Sequence, residues 1–234
     1  HARGVAVHVT LNTLVYAAEL GGLADAVRAV AAAGADAVIV DDLATAQLVR
    51  SIAPGLRLHG STQMSIHTAE GAKMLAKLGY SRAILARELS LAEIEAVVKA
   101  SPIECEVFVH GAMCMSMSGQ CMMSAFLGGR SGNRGACAQP CRWQYELREK
   151  GSNGEYFTIE QDERGSFIMN SRDMRLIEYI PEIVDAGIMS LKIEGRMKSI
   201  AYVATVVNAY RMAIDEYKRS LDEGREYKVP ASVM

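Results

Sequence analysis

Residues 37–52 read AVIVDDLATAQLVRSI, a short β-branched run followed by a segment whose apolar residues recur at helical spacing. The same order of strand and helix repeats at intervals of about 25 residues. The predicted strands are 5–10, 37–40, 56–59, 83–85, 104–110 and 189–194, and the predicted helices are 22–33, 43–52, 68–78, 91–99 and 202–217. Strands that alternate with helices pair in parallel through right-handed crossovers, so the sequence predicts an α/β fold.

The six predicted strands fall short of the eight that close a (β/α)8 barrel. The chain opens with HARG rather than with Met, and the first strand begins almost at once. We therefore expect a TIM-like (β/α)8 barrel whose first two βα units lie upstream of this sequence. An open doubly wound sheet is the alternative, but the Gly-rich phosphate-binding turn that would support it does not follow the first strand.

The composition indicates a folded protein, because half of the 234 residues are apolar and 22% are charged. The formal charge of −2 gives no overall basic field, so an RNA-binding site has to be local. No apolar stretch approaches the roughly 18 residues of a membrane helix, and polar residues interrupt the signal-peptide-like run 5–18. Five cysteines, four of them within 114–141, are too few and too local for a disulfide scaffold. We expect a cytoplasmic protein without a membrane segment.

The alternation of strands and helices breaks for about eighty residues after the fifth strand. Residues 111–143 are rich in Cys, Met, Gly, Ser and Arg, and 145–149 with 155–160, joined across GSNG, predict a β-hairpin. The chain therefore divides into barrel βα units at 1–110, a Cys-rich insert with its hairpin at 111–165, and a closing barrel unit with the C-terminal helix at 166–234. Loops after strand ends carry function in such barrels, so we expect the insert to form the active site.

Four cysteines of the insert have the number and type of atoms that bind one metal centre. Six, fifteen and three residues separate Cys114, Cys121, Cys137 and Cys141. Four thiolates hold either structural zinc or an iron–sulfur cluster, and buried thiols without metal are the third possibility. The irregular spacing lacks the paired Cys-x-x-Cys of zinc knuckles and favours iron–sulfur. Cys105 is assigned to packing between strand and helix, and the methionines of the insert to an apolar jacket around the site.

Two further stretches carry a resemblance to a known family. Residues 106–114, EVFVHGAMC, and 118–124, SGQCMMS, resemble the signature of peptidase family U32, the collagenase-like proteins. The resemblance continues through STQ at 61–63, RELS at 87–90, GRSGNRG at 129–135, CAQPCRW at 137–143 and LKIEGRMKS at 191–199. It covers essentially the whole chain.

The resemblance implies a barrel enzyme that hydroxylates without molecular oxygen. Family members are implicated in converting the wobble uridine of tRNA to 5-hydroxyuridine with prephenate as the oxygen source, in hydroxylating a ribosomal RNA cytidine, or in modifying a ubiquinone precursor. Their four cysteines hold a cluster, so the resemblance implies a 4Fe-4S centre on Cys114, Cys121, Cys137 and Cys141. The arginine-rich stretch and CAQPCRW are most similar to the tRNA branch, which makes tRNA, a small carboxylate co-substrate and a partner protein of the same family the expected partners.

A peptidase is the alternative function. The sequence has neither the His-x-x-x-His of zinc peptidases nor the Gly-x-Ser-x-Gly of serine hydrolases. A cysteine peptidase with His110 beside Cys114 stays open, although a thiolate that binds a metal is not free to attack a peptide. A third possibility is a scaffold in which the metal is only structural.

Three residues are candidates for catalysis, namely His110, Glu106 and Glu194. His110 ends the fifth strand, at the rim where barrel enzymes place catalytic groups. Glu106 and Phe108 share its predicted strand face, and a carboxylate that points into a barrel needs a partner, such as Lys192 or Arg87. An internal ion pair is therefore the structural alternative to catalysis.

The candidates for substrate binding are mostly arginines. Gln63, Arg87 and Arg196 follow strand ends, as do Glu88 and Glu194, and arginine binds carboxylates in a bidentate manner. Residues 130–150 carry five basic and two acidic side chains, which is a local charge of +3, and Trp143 and Tyr145 are available to stack on an unpaired base. We assign Arg130, Arg134 and Arg142 to RNA binding, with a solvated face and a buried Trp as the alternative.

Overall fold

Parallel strands form the frame of the molecule in the computed structural model, which describes residues 2–114, 116–143, 146–148, 156–158 and 173–233. The strands are β1 (His8–Leu11), β2 (Ala37–Val40), β3 (Arg57–Gly60), β4 (Arg82–Ile84), β5 (Glu104–Ala112), β6 (Glu146–Arg148), β7 (Tyr156–Thr158), β8 (Asp173–Arg175) and β9 (Ser190–Ile193). The helices are α1 (Leu20–Ala32), α2 (Leu43–Ile52), α3 (Ala69–Lys77), α4 (Leu91–Ala100), α5 (Met123–Gly128), α6 (Ile180–Asp185) and α7 (Ile200–Glu223). All six predicted strands and all five predicted helices are present, with ends shifted by a few residues.

The parallel part of the sheet has the order β1-β2-β3-β4-β5-β9. Side-chain hydrogen bonds cap the start of four of the helices next to these strands, namely α2, α3, α4 and α7. Asp42 accepts from the Thr45 amide at the start of α2, and Ser199 accepts from the Tyr202 amide at the start of α7. Ser90 and Glu93 form a reciprocal capping box at the start of α4, so each helix begins where its strand–helix loop ends.

The sheet is curved, and the helices cover its convex face. Side chains of β1 and β3, which flank β2, meet on the concave side, where the His8 and His59 ring centroids are 4.8 Å apart. Flat neighbouring strands lie about 4.8 Å apart, so a ring contact across an intervening strand requires curvature. The main core lies between the sheet and the helices, whereas the small concave cluster contains only Ile39, Ile84, Phe108 and Met174. A doubly wound sheet would have helices on both faces, so the curved, barrel-like alternative is the one observed.

Cys105 confirms the predicted assignment of strand faces, since it is 2% exposed in the core between sheet and helices. The common face predicted for Glu106, Phe108 and His110 is wrong at its last member. A bulge shifts the register between Phe108 and His110. The His110 ring instead lies against α7, with its centroid 5.6 Å from that of Tyr210.

The segment between β5 and β9 contains more regular structure than the sequence predicts. The predicted hairpin is present as β6 paired antiparallel with β7, while the other residues of 145–160 lie outside the described part of the chain. β8 pairs antiparallel with the end of β5, and α6 follows it. The sequence predicts neither, because each is too short to show a hydrophobic period. None of the helices described is long and apolar enough to cross a membrane.

Candidate active site

The Cys-rich insert lies over the carboxyl ends of the parallel strands. Glu88, which follows β4, anchors the insert. Its carboxylate accepts hydrogen bonds from the Ser118 amide (2.5 Å) and hydroxyl (3.3 Å). Gln120 donates to the Gln63 carbonyl after β3 at 2.7 Å. Leu14, after β1, donates through its amide to the Asn133 carbonyl. The insert is therefore held at the edge where α/β barrels place their active sites.

All four cysteines of the insert line one cavity of about 160 Å³. Its wall also contains Arg87, Arg142, Glu194, Arg196 and Lys198. The four thiols are half-buried, and no disulfide joins them. Cysteines from both ends of the 114–141 segment thus reach one space, as the spacing predicts.

Backbone amides point at three of the four sulfur atoms. The Met123 amide donates to Cys121 Sγ and the Gln139 amide to Cys137 Sγ, both at 3.3 Å, and the Ser116 amide donates to Cys114. Each donor lies two residues after its cysteine. Hydrogen bonds of this kind favour the thiolate over the thiol, and they also tune metal–sulfur centres.

The thiols do not yet form a closed metal site. Among the described residues, no three His, Cys, Asp or Glu side chains are close enough to hold a metal ion as they stand. Burial raises the pKa of Cys114, and Cys121 and Cys141 raise it further by adding negative charge nearby. A bound cation would remove both effects, because metal ligation stabilises the thiolate. Four thiols in one cavity therefore have the donor chemistry for a thiolate-ligated metal group. Binding of such a group would have to bring the sulfur atoms closer together.

The Arg87 side chain adds a positive charge to the lining of the cavity. It donates to the Ala112 carbonyl at 3.0 Å, and its guanidinium carbon lies 4.0 Å from the centre of the Phe108 ring. Its Nε is buried and has no hydrogen-bond partner within the described part of the chain. Burial lowers the pKa of Arg87, and Glu194 and Cys114 oppose that shift. An anionic ligand group in the cavity would complete its hydrogen bonding.

Glu194 and Arg196 form the wall that follows β9. The Glu194 carboxylate accepts from the Arg196 amide at 2.8 Å, and the Arg196 guanidinium lies over Gly135 of the insert. The Glu194 backbone packs closely on Gly111, whose φ is +111°. Only glycine fits there, because a Cβ would be 2.7 Å from the Glu194 carbonyl oxygen. The structure thus brings Arg87, Glu194, Arg196 and the cysteines together, as the sequence predicts.

Arg142, another residue that lines the cavity, is fixed by an ion pair. It forms an ion pair with Asp173 at 2.8 Å, and Asp173 also pairs with Lys198 at 3.3 Å. Burial opposes ionisation of Asp173, but hydrogen bonds from Arg142 and Lys198 lower the pKa of its carboxyl. One Arg142 nitrogen is buried and has no hydrogen-bond partner in the part of the chain that the structure describes. Asp173 and Lys198 were not predicted from the sequence, where only the charge complementarity of positions far apart could have indicated them.

Glu106 lies deeper, in an ion-pair network on the concave face of the sheet. Its carboxylate contacts Lys192 at 3.2 Å and Arg82 at 3.0 Å, and its side chain is 6% exposed. Burial would raise the pKa of Glu106, but the charge of Lys192 and the hydrogen bonds it receives hold that pKa below its usual value. Lys192 is one of the two predicted partners. Arg82, rather than Arg87, is the second, because its strand position faces β5 directly.

His110 is not among the residues that line the cavity. Its ring packs against Tyr202 and Tyr210, and its Nδ1 is buried with no hydrogen-bond partner among the described residues. Burial lowers the pKa of His110, with Arg175 and Lys198 acting in the same direction and Asp173 opposing. The lowered pKa favours the neutral imidazole, which can accept a proton. The ring, however, does not line the cavity.

The remaining predicted binding residues are spread around the insert. Arg134 pairs with Glu19 at 2.5 Å and lowers the pKa of that carboxyl to about 2. Arg130 is exposed, and Gln63 contributes its backbone carbonyl to the Gln120 contact. None of these three lines the cavity, so the structure separates them from Arg87, Arg142 and Arg196.

A cysteine-lined cavity at the carboxyl edge of a curved parallel sheet characterises this α/β protein. The model of Peptidase family U32 matches residues 1–231, and the chain belongs to that family. It is 41% identical, over 92% of its length, to tRNA hydroxylation protein P1 of Bacillus subtilis (strain 168), of which it covers 50%. It is 37% identical, also over 92%, to the 23S rRNA 5-hydroxycytidine C2501 synthase of Escherichia coli (strain K12), of which it covers 31%.

A third relative carries a peptidase name. The chain is 34% identical, over 92% of its length, to a collagenase of Porphyromonas gingivalis (strain ATCC BAA-308 / W83), of which it covers 53%. The chain thus spans about half the length of the Bacillus and Porphyromonas relatives, and less of the rRNA synthase.

Proposed function

We propose that this chain hydroxylates RNA, and specifically that it converts the wobble uridine of tRNA to 5-hydroxyuridine without molecular oxygen. The observation that carries the proposal is the cavity in which four cysteines meet Arg87, Glu194 and Arg196. Relatives that are named for tRNA and rRNA hydroxylation support it. A tRNA substrate implies that the proposed reaction takes place in the cytoplasm.

Cys114, Cys121, Cys137 and Cys141 would hold a 4Fe-4S cluster. When bound, such a cluster supplies electron transfer at a potential set by its surroundings. The chain's own contribution is to direct amides at three of the sulfurs and to surround the site with apolar side chains such as Met113 and Met123, which exclude water. The six parallel strands would belong to a (β/α)8 barrel, whose carboxyl edge this cavity occupies.

Arg87 and Arg196 would bind the carboxylates of prephenate, the proposed oxygen source. Replacement of C5–H by C5–OH is a two-electron oxidation, so the co-substrate supplies the oxygen atom and is itself reduced by two electrons. Arg87, which follows β4, has a buried Nε with no partner among the residues described, and Arg196 follows β9, so the two cations line the cavity from different strands. Glu194, beside them, would hold the proton that leaves C5.

The peptidase alternative is weaker. A cysteine peptidase needs an imidazole within hydrogen-bonding reach of its thiol. His110 packs against Tyr202 and Tyr210 instead of lining the cavity with Cys114. Proteolysis of casein or gelatin that survives replacement of all four cavity cysteines would nevertheless establish a separate peptidase site.

The first test measures iron, zinc and acid-labile sulfide per chain on protein purified anaerobically. We expect near-stoichiometric iron and sulfide, lost when Cys114, Cys121, Cys137 and Cys141 are all replaced by Ala. Cys105→Ala is the matched control, because this thiol lies on the other face of the sheet and should leave the metal content unchanged. Zinc alone would favour a structural scaffold, and metal-free protein would contradict the cluster.

The second test follows the product. Unmodified tRNA is incubated anaerobically with the protein and prephenate, and its nucleosides are analysed by mass spectrometry for 5-hydroxyuridine. The wild type should form it, whereas Arg87→Lys, which keeps the charge but loses the planar fork, should reduce the rate by about tenfold or more. Equal rates for wild type and the quadruple cysteine variant would exclude a role for the cluster in the chemistry.

A further inference from the structure

The outer face of α5 leaves unusually large apolar side chains in solvent. Phe126 is 87% exposed and Met122 is 78% exposed, and the Phe126 amide donates to the Met122 carbonyl at 2.9 Å, one turn away. Trp143, 45% exposed, packs at the end of the same helix beside Gly128. Isolated apolar residues on a surface are ordinary, but an adjacent phenylalanine and methionine exposed to this degree mark a contact surface. We call Met122, Phe126 and Trp143 the α5 surface.

The α5 surface adjoins the cavity through the short helix itself. Cys121 and Met123, which precede and follow Met122, line the cavity. Ser124 is fully buried on the inner side, where its hydroxyl donates to the Arg130 carbonyl and accepts from the Ala138 amide. The helix is therefore pinned to the insert from within, and its outer face is presented at the rim of the cavity.

The charge of the insert indicates what this surface contacts. Residues 111–143 contain three arginines and no Asp, Glu or Lys. Arg134 is paired with Glu19 and Arg142 with Asp173, whereas Arg130 is exposed and has no ion pair among the residues described. Exposed aromatic rings beside uncompensated arginine are the combination that binds unpaired nucleotides, because bases stack on the rings and phosphates contact the guanidinium.

We propose that the α5 surface binds the unpaired nucleotides that flank the target base, with a base stacked on Phe126 and a backbone phosphate at Arg130. The inference rests on the proposed function, since it takes RNA as the substrate. A base that enters the cavity leaves its neighbours at the rim, and the rim next to Cys121 is α5. A loop of RNA, in which bases are already unstacked, fits this surface better than a duplex does.

The test measures binding of unmodified tRNA to the full chain, loaded with its metal, by fluorescence anisotropy at several salt concentrations. Phe126→Ala should weaken binding by roughly 5- to 100-fold, which corresponds to the loss of one stacked base. Phe126→Trp should retain the affinity, while Phe126→Leu, apolar but without a π face, should lose nearly as much as Phe126→Ala. Arg130→Ala should reduce the salt dependence by about one released ion, which the Phe126 variants should leave unchanged.

Leu221→Ala is the matched control, because Leu221 is 61% exposed at the far end of α7 and should not affect binding. Unchanged affinity of Phe126→Ala, or full affinity of Phe126→Leu, would overturn the stacking contact and indicate a protein-binding surface instead. Failure of the proposed function is distinguishable, because a protein that binds tRNA through Phe126 but forms no 5-hydroxyuridine would retain the surface and lose the chemistry. Iron content and circular dichroism of each variant confirm that it is folded.

Discussion

His59 is buried on the concave face of the sheet, with 1% of its surface exposed, and its Nδ1 has no hydrogen-bond partner among the residues that the structure describes. Burial lowers its pKa to about 4, and the positive charge of Arg82 and the neighbouring His8 act in the same direction against Glu106. The ring is consequently neutral in the folded protein at pH values where an unfolded chain would already protonate it. One side chain thus links the stability of the sheet to pH.

We expect the free energy of unfolding to fall as the pH drops from about 6.5 to about 4. In this window the unfolded chain binds a proton at His59 and the folded chain does not, so acid favours unfolding. The loss from this group is roughly 3 kcal/mol. Urea unfolding of the wild type and of His59→Leu at a series of pH values checks it. Equal pH dependence of wild type and His59→Leu would contradict the burial argument.

Residues on regular strands were predicted correctly, and those next to irregularities were not. Alternation along β5 places Cys105 outside and Glu106 inside, and both are found there. The bulge before His110 moves that ring against α7. A bulge leaves no recognisable pattern in a single amino-acid sequence. The partnership of Arg82 with Glu106 depends on strand register, which the hydrophobic pattern defines only to within a residue or two.

At the scale of elements, the junction of β5 and β9 determines the shape of the cavity wall. Gly111 has a φ of +111°, and a Cβ there would lie 2.7 Å from the carbonyl oxygen and 2.8 Å from the Cβ of Glu194. Glu194 donates its amide to the His110 carbonyl, so the two strand ends are fixed in contact. Glycine is required because both the backbone angle and the approach exclude a side chain.

Gly111→Ala should therefore lower the free energy of unfolding by about 3 kcal/mol, through strain and steric conflict together. Gly34→Ala is the matched control: Gly34 also has a positive φ, +74°, but a Cβ there would point into open space, with no contact within 4 Å. It should cost only about 1 kcal/mol. Urea denaturation of both variants gives the comparison. Equal losses would show that the contact with Glu194 contributes nothing beyond the backbone angle.

Elements with a clear period were predictable, whereas short ones were not. The helices at 43–52 and 91–100 carry capping residues and a repeating apolar face, and both begin at the predicted residue. β8 has three residues and α6 has six, so no periodic signal can distinguish them from loop. The cavity itself follows from two predictable facts, namely the parallel sheet and the cysteine spacing, but the Asp173 contacts that fix Arg142 and Lys198 depend on β8 and were missed.

At the scale of the whole molecule, the insert and the sheet are stabilised by different means. The sheet buries apolar side chains completely, including Val38, Val40 and Val109. The insert rests on polar anchors such as the Glu88–Ser118 contact, and the buried side chains among its described residues, Ser118, Ser124 and Pro140, are small. Regions with little apolar burial open at low free energy. The stability of the insert should therefore depend on the proposed cluster that would join its cysteines.

We expect loss of the proposed cluster to loosen the insert while the sheet keeps its protection. Hydrogen–deuterium exchange of peptides from 117–143 should accelerate by about tenfold or more in the quadruple cysteine variant, because the amides of Met123 and Gln139 lose their thiolate acceptors. Peptides that contain β2 and the first half of β5 should exchange at the wild-type rate, since their protection comes from apolar burial. Cys105→Ala provides the comparison for losing a thiol in the sheet. Uniform acceleration across both regions would instead show that the cysteine site stabilises the whole fold, and unchanged exchange in 117–143 would show that the cysteines do not hold the insert.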